Sequence, residues 1–352
     1  MQASDFTAQF FSEFFERVHT SEVHNWDERR FGAEDRKFNV DTAVFNMRFA
    51  LANFDHIAWF YDQLSDAASR DYLVRFVLYK ILGHTHVRLP QNTPEFWEFY
   101  RSVESYLVGR AAAPFPSQWL PVPIYVNKYQ VPFCGSMLKV NTSDVSLLET
   151  LLFDQYRYNK GNVDIAVQPG DVVIDAGACW GDTSLAFSAR AGAEGNVFAF
   201  EMIEENLTVL RRNLMENPSL ARTIEVIESP LASKSGQEYW VHSQGAASTL
   251  TRTAGKGKRV LSTSIDDFVR SRSLKAVNFI KFDIEGAEKD ALVGAQETIR
   301  QHKPSLAVSV YHKSEDIVEL PRILKTLCPD YRLYLQGVCL NYGETILFAH
   351  AR

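Results

Sequence analysis

From Asp171 to Ala349 the chain alternates short apolar runs with stretches of helical periodicity. The runs DVVIDA, NVFAFE (Asn196 to Glu201), TIEVIE (Thr223 to Glu228), VNFIKFD (Val277 to Asp283), SLAVSVY (Ser305 to Tyr311), YRLYLQG (Tyr331 to Gly337) and ETILFA (Glu344 to Ala349) predict strands, with helices between them at about 182–191, 204–216, 264–271, 286–301 and 314–327. Such alternation specifies an α/β fold: a doubly wound, mostly parallel sheet with helices on both faces. Only VCLNYG separates the last two strands, so the last of the seven should pair antiparallel.

Before this region, residues 1 to about 110 carry helical periodicity. Phe6, Phe10 and Phe14, flanked by Phe11, Phe15 and Val18, form an aromatic stripe expected to pack on a neighbouring helix or on a partner subunit in a homo-oligomer. A second helix is expected from an Asp41 cap to Leu64, a third over Ala67 to Leu82 ending at Gly83, and a fourth from the cap Thr93 with Pro94 at its first position. Pro114, Pro116, Pro121 and Pro123 then crowd one short span, which sets a boundary between an N-terminal helical domain, 1–115, and a second domain, 116–352. After the boundary come short strands in IYVNKYQVPF and MLKVN, a helix from about Ser143, and the aromatic segment that holds Tyr156 and Tyr158.

Composition adds mainly exclusions. The 352 residues exceed the ~250–300 that one core usually serves, which supports two domains. Apolar content of 46% and charged content of 23% are those of a globular protein. A net charge of −6 argues against a nucleic-acid partner. Cys134, Cys179, Cys328 and Cys339 show no CxxC spacing, so neither a disulfide framework nor a zinc site is expected and the thiols read as reduced. The N-terminus carries Asp5, Glu13 and Glu16 and lacks the pattern of a signal peptide, and no run approaches the ~20 apolar residues of a membrane span. A cytoplasmic location is the expectation. His84 and His86 read as surface loop residues, and no metal centre is assigned.

In an open α/β sheet, ligands bind beyond the carboxyl ends of the strands. Here those ends are Asp175, Glu201, Glu228 with Ser229, Asp283 with Glu285, and Tyr311 with His312. Glu201 ends the second strand, where a carboxylate can accept from both hydroxyls of a ribose. The turn after the first strand runs Gly177, Ala178, Cys179, Trp180, Gly181 and so lacks the middle glycine of GxGxxG, while Asp175 and Asp182 flank it. A pyrophosphate would be repelled, which disfavours an NAD-dependent oxidoreductase. A ligand with an ammonium and a sulfonium suits such carboxylates, and S-adenosylmethionine has both. Tyr156 is a further candidate for the cofactor wall.

The segments VVIDAGACWGDTSL, FAFEMIEENL, SIDDFV, FIKFDIEGAEKDALVGA and KPSLAVSVYHKSEDIVELPRIL resemble, in order, the motifs of the FkbM family of S-adenosylmethionine-dependent methyltransferases. The resemblance runs from about residue 120 to the C-terminus and implies a class I methyltransferase fold. It implies that Asp175, Gly177 and Gly181 hold the methionyl part of the cofactor, Glu201 the ribose, and Glu228 and Ser229 the adenine border. Ala178, Asp182, Thr183 and Met202 complete the implied cofactor contacts. Asp283, Glu285 and His312 would face the methyl group, with a hydroxyl of a sugar, glycan or secondary metabolite as acceptor. A neutral hydroxyl needs a base or a metal to take its proton; His312, with a reference pKa near ~6.5, is the candidate base. Asp283 stays open to three roles: base, metal ligand, or partner of the methionyl amine. Met202 and Ile203 stand where the family usually has proline. A non-catalytic protein that binds the cofactor is the remaining alternative. His242 is a weaker candidate. The cation-rich loop from Arg252 to Arg259 reads as a solvated loop or as a lid over an acidic substrate.

Overall fold

The computed structural model describes residues 5–33, 39–116, 122–242, 249–251 and 258–351. Its centre is a seven-stranded sheet of β1 (Val172–Ala176), β2 (Asn196–Phe200), β3 (Ile224–Ile227), β4 (Phe279–Phe282), β5 (Ser305–Ser309), β6 (Arg332–Gly337) and β7 (Thr345–His350), in the spatial order β6-β7-β5-β4-β1-β2-β3. The strands from β5 through β4, β1 and β2 to β3 are parallel neighbours. β7 inserts between β5 and β6 and is antiparallel to both. The strands read as apolar runs because both faces are covered: β4 and β7 are buried along almost their whole length.

The order reverses at β1, from which the chain moves outward to β2 and β3 and then returns to the other side to form β4. A crevice opens beyond the carboxyl ends at such a switch point. The helix Asp182–Ala191 enters from this crevice through Gly181, whose φ of +79° a glycine adopts without strain.

The N-terminal helices follow the predicted pattern with one difference. The helix expected from Asp41 to Leu64 is two helices, Val40–Ala52 and Phe54–Gln63, broken at Asn53. Asn39 rather than Asp41 caps the first, accepting from the amide of Thr42. Ala67–Leu82 and Pro94–Ser102 form as predicted, with Asp66 and Thr93 as their caps. Phe6 and Phe10 are buried against Phe54, while Phe11 and Phe15 are 40% and 62% exposed.

These helices do not enclose a core of their own. Phe6, Phe60, Leu73 and Phe76 share one hydrophobic cluster with Ile174, Phe282, Leu306 and Leu333 of the sheet. Tyr72 donates or accepts at 2.8 Å with Thr345 of β7, and Ser65 N donates to Leu333 O. The proline-rich span therefore links two parts of one packed body. No helix among the described residues is long and apolar enough to cross a membrane.

Candidate active site

A cavity of about 770 Å³ lies over the carboxyl ends of β1, β2, β3, β4 and β5. Of the residues singled out in the sequence, Gly177, Asp182, Thr183, Glu201, Met202 and Ser229 line it. Tyr156, Asp283, Glu285 and His312 line it as well.

Four expected contacts are placed elsewhere. Asp175 is fully buried below the cavity floor, where Oδ2 accepts from Thr183 Oγ1 at 2.7 Å and Ser184 Oγ at 2.6 Å, and Oδ1 lies 3.2 Å from Lys281 Nζ. It ties β1 to the following helix and to β4 and is not a cavity wall. Ala178 packs inward with Ala199 and Leu210, and Gly181 sits against Leu210. Glu228 points outward and pairs with Arg211 at 2.5 Å. His242 ends a strand, Glu238–His242. Residues 252–257 of the cation-rich loop lie outside the described residues; Lys258 and Arg259 belong to a strand, and Arg259 pairs with Glu238.

The side formed by β1 and β2 is built from backbone. Gly177 N and Ala178 N both donate to Phe200 O, which draws the glycine turn across the end of β2. Glu201 is buried: Oε1 accepts from the amides of Met202 and Ile203 at 2.7 and 2.8 Å, and Oε2 accepts from Asn206 at 3.3 Å. The residue lines the cavity. Burial raises the pKa of Glu201, with the two amides working against it. Asp182 accepts from Thr142 Oγ1 and from the Thr183 amide, and burial raises its pKa too.

Beyond the end of β5, His312 is held at both nitrogens. Nδ1 lies 2.9 Å from Glu288 Oε1, and Nε2 lies 3.3 Å from Asp283 Oδ1 and 3.6 Å from Glu285 Oε2. Burial works to lower its pKa, but the Glu288 hydrogen bond and the charges of Asp283, Glu288 and Glu285 prevail and hold it at about 10. This corrects the expectation of a free base near ~6.5: in this arrangement the imidazole keeps its proton at neutral pH. Burial also pushes Asp283 up, yet Lys281 and then His312 outweigh it and leave the carboxyl below its ordinary value. Glu285 is pushed up to about 7, first by burial, with His312 opposing. Its backbone φ of +55° is unusual for a residue with a side chain and turns the carboxylate toward His312.

Asp283 is fixed by two phenols: Tyr156 donates to Oδ2 at 2.7 Å and Tyr311 to Oδ1 at 3.3 Å. Tyr311 also donates to Glu344, which shares Arg30 with Glu149. Arg30 comes from the short helix Glu28–Phe31, so the N-terminal part supplies a piece of the cavity wall. Sequence reasoning missed Lys281, Glu288, Glu149, Arg30 and Glu344. A signal existed for Lys281, a lone charge inside the apolar run FIKF, and for Glu288 in IEGAE.

Residues 164–337 match the family model of the methyltransferase FkbM domain. Among solved structures the chain is similar to a methyltransferase FkbM from Methylobacillus flagellatus KT, with 18% identity over 89% of this chain and a TM-score of 0.55; the chain covers 63% of that protein's length. It is also similar to a putative rRNA-methylase from Clostridium thermocellum, with 13% identity, 52% of this chain and 87% of that one covered, and a TM-score of 0.35. No curated protein matches in sequence. The fold is that of class I S-adenosylmethionine-dependent methyltransferases.

Proposed function

We propose that this chain, a member of the FkbM methyltransferase family through its residues 164–337, transfers the methyl group of S-adenosylmethionine to a hydroxyl of a sugar, glycan or secondary metabolite. The observation that carries the reading is one cavity lined both by Glu201 with the glycine turn after β1 and by the Asp283–Glu285–His312 cluster.

The donor set fits the cofactor. Glu201 lines the cavity as a carboxylate acceptor for ribose hydroxyls, and Asp182 and Asp283 supply negative charge where an ammonium and a sulfonium would lie. The same carboxylates would repel the pyrophosphate of a dinucleotide. When bound, S-adenosylmethionine supplies an electrophilic methyl whose C–S bond breaks as the O–C bond forms, leaving S-adenosylhomocysteine and a methyl ether. The protein's share is to hold the acceptor oxygen in line and to take its proton, and the cluster at the ends of β4 and β5 is placed for both. Tyr156 and Tyr311 fix Asp283 for that purpose.

Calorimetry tests the cofactor assignment. The chain should bind S-adenosylmethionine and S-adenosylhomocysteine and ignore NAD. Glu201→Ala should weaken both by roughly 10–100-fold, the loss of about 1.5–3 kcal/mol in hydrogen bonds to a charged group. Binding of NAD alone would overturn the assignment.

A further inference from the structure

We infer that Glu285 is the residue that takes the acceptor's proton, with His312 as a fixed cation that positions it. The reaction it serves is the one proposed above, on which this role rests.

A base must reach the acceptor and have an atom free to receive a proton. At the ends of β4 and β5 the neighbours of Glu285 fail one condition or the other. Asp283 is committed at both oxygens: Oδ2 accepts from Tyr156 at 2.7 Å, and Oδ1 lies 3.3 Å from both Tyr311 Oη and His312 Nε2. Glu288 is 0% exposed, and its Oε1 already serves the Ile284 amide and His312 Nδ1. Glu344 accepts from Gln155 and Tyr311 at one oxygen and pairs with Arg30 at the other. His312 has carboxylates at both nitrogens, which keep its proton in place.

Glu285 differs on both counts. Its side chain is 43% exposed and lines the cavity. Its ion-pair partner, His312 Nε2, stands at 3.6 Å, beyond the reach of a hydrogen bond. The backbone is left-handed at Glu285, with φ +55°, and again at Gly286, with φ +92°. A residue with a side chain holds such a conformation only where its surroundings impose it, and such residues gather at active sites.

The charges acting on Glu285 are the cation of His312 and the carboxylates of Asp283, Glu344 and Glu288, while Lys313 is bound to Gly286 O. Burial and the three carboxylates favour the protonated form, His312 opposes them, and the balance holds the group at about 7. A base of that strength is ionised in part at neutral pH and still binds a proton well. In the transfer step the acceptor's O–H bond breaks and its proton passes to a Glu285 oxygen. The acceptor oxygen bonds to the methyl carbon, and the electron pair of the C–S bond stays on sulfur. Glu285 then returns the proton to water, to which its side chain is open.

Proton occupancy can be followed without an acceptor. Glutamate labelled with ¹³C at the side-chain carboxyl is incorporated into the full chain, and the Glu285 signal is the one missing from Glu285→Gln. In the free chain that signal should titrate near pH 7, while the ring nitrogens of His312 stay protonated. S-adenosylmethionine carries a positive charge on sulfur that S-adenosylhomocysteine lacks. A base beside the methyl group should therefore hold its proton about threefold or more weakly with the first bound than with the second. His312→Gln should strengthen proton binding by Glu285 about tenfold. Calorimetry should find S-adenosylhomocysteine bound to Glu285→Gln within about threefold of the unaltered chain, since the residue serves the acceptor. The proposal is overturned if Glu285 titrates in the ordinary carboxylate range, if both sulfur compounds leave it with the same proton affinity, or if His312 loses its proton near neutral pH. Failure of both compounds to bind removes the methyltransferase reading; their binding beside an unresponsive Glu285 removes the base alone.

Discussion

Lys281→Met is expected to lower the stability of the fold by about 3–5 kcal/mol, the usual cost of leaving one member of a buried ion pair alone. Lys281 is 2% exposed on β4, and its Nζ lies 3.2 Å from Asp175 Oδ1 while donating to Gly177 O at 2.6 Å. Asp175 is 0% exposed, and Oδ1 has no hydrogen-bond partner apart from this cation. Burial acts to lower the pKa of Lys281, but Asp175 and Asp283 keep it above its ordinary value, so the amine stays charged inside the sheet. Methionine fills the space of the stem and removes the charge, which isolates the electrostatic loss. Urea unfolding measures it as a shift in midpoint with little change in slope. The double change with Asp175→Asn should recover part of the loss, because the stranded charge is then gone. A single variant within 1 kcal/mol of the unaltered chain would show that the pair does not hold β1 to β4.

Gly177→Ala should be similarly severe, at about 3 kcal/mol or more, from two causes that a control separates. Its φ is +86°, which costs a side-chain residue about 1–3 kcal/mol. An added Cβ would also stand 1.9 Å from the Asp283 carbonyl oxygen, which is backbone and cannot rotate aside. Gly161 has a φ of +59° with nothing within 4 Å of an added Cβ, so Gly161→Ala should show the conformational cost alone. Thermal unfolding of the two variants checks the difference. If Gly177→Ala is no worse than Gly161→Ala, the glycine turn does not lie against the end of β4.

These two contacts explain which parts of the site could be read in the chain. The sheet was legible because strands covered on both faces leave apolar runs bounded by polar ends, as VVIDA and FIKF show. The antiparallel β7 followed from the short link to β6. Glu201 was legible because a strand end fixes its position to one residue. Asp175 occupies the equivalent end of β1 but turns inward, since Thr183, Ser184 and Lys281 give its oxygens better partners than the cavity does. Nothing local in the sequence distinguishes the two carboxylates.

Other features depend on contacts too distant to leave a pattern. Arg30 meets Glu344 across 314 positions, and the residues around each carry no periodicity that points to the other. The break at Asn53 was hidden because the apolar pattern continues through it; its side chain accounts for the stop by donating to Phe49 O. The proline-rich span looked like a boundary between cores, yet the helices before it bury Leu73 and Phe76 in the same cluster as Leu333. His312 follows its strand end into the cavity lining. Its raised pKa left no mark in the chain, because it depends on three carboxylates brought in from the loop after β4 and the helix Glu288–Val293.

A structure with S-adenosylhomocysteine bound tests the central claim most directly. The ribose should lie on Glu201, the amino-acid end at the Gly177–Asp182 turn, and the sulfur should face Asp283, Glu285 and His312 across the cavity. A ligand bound outside this cavity, or one whose sulfur points away from the cluster, would contradict the claim.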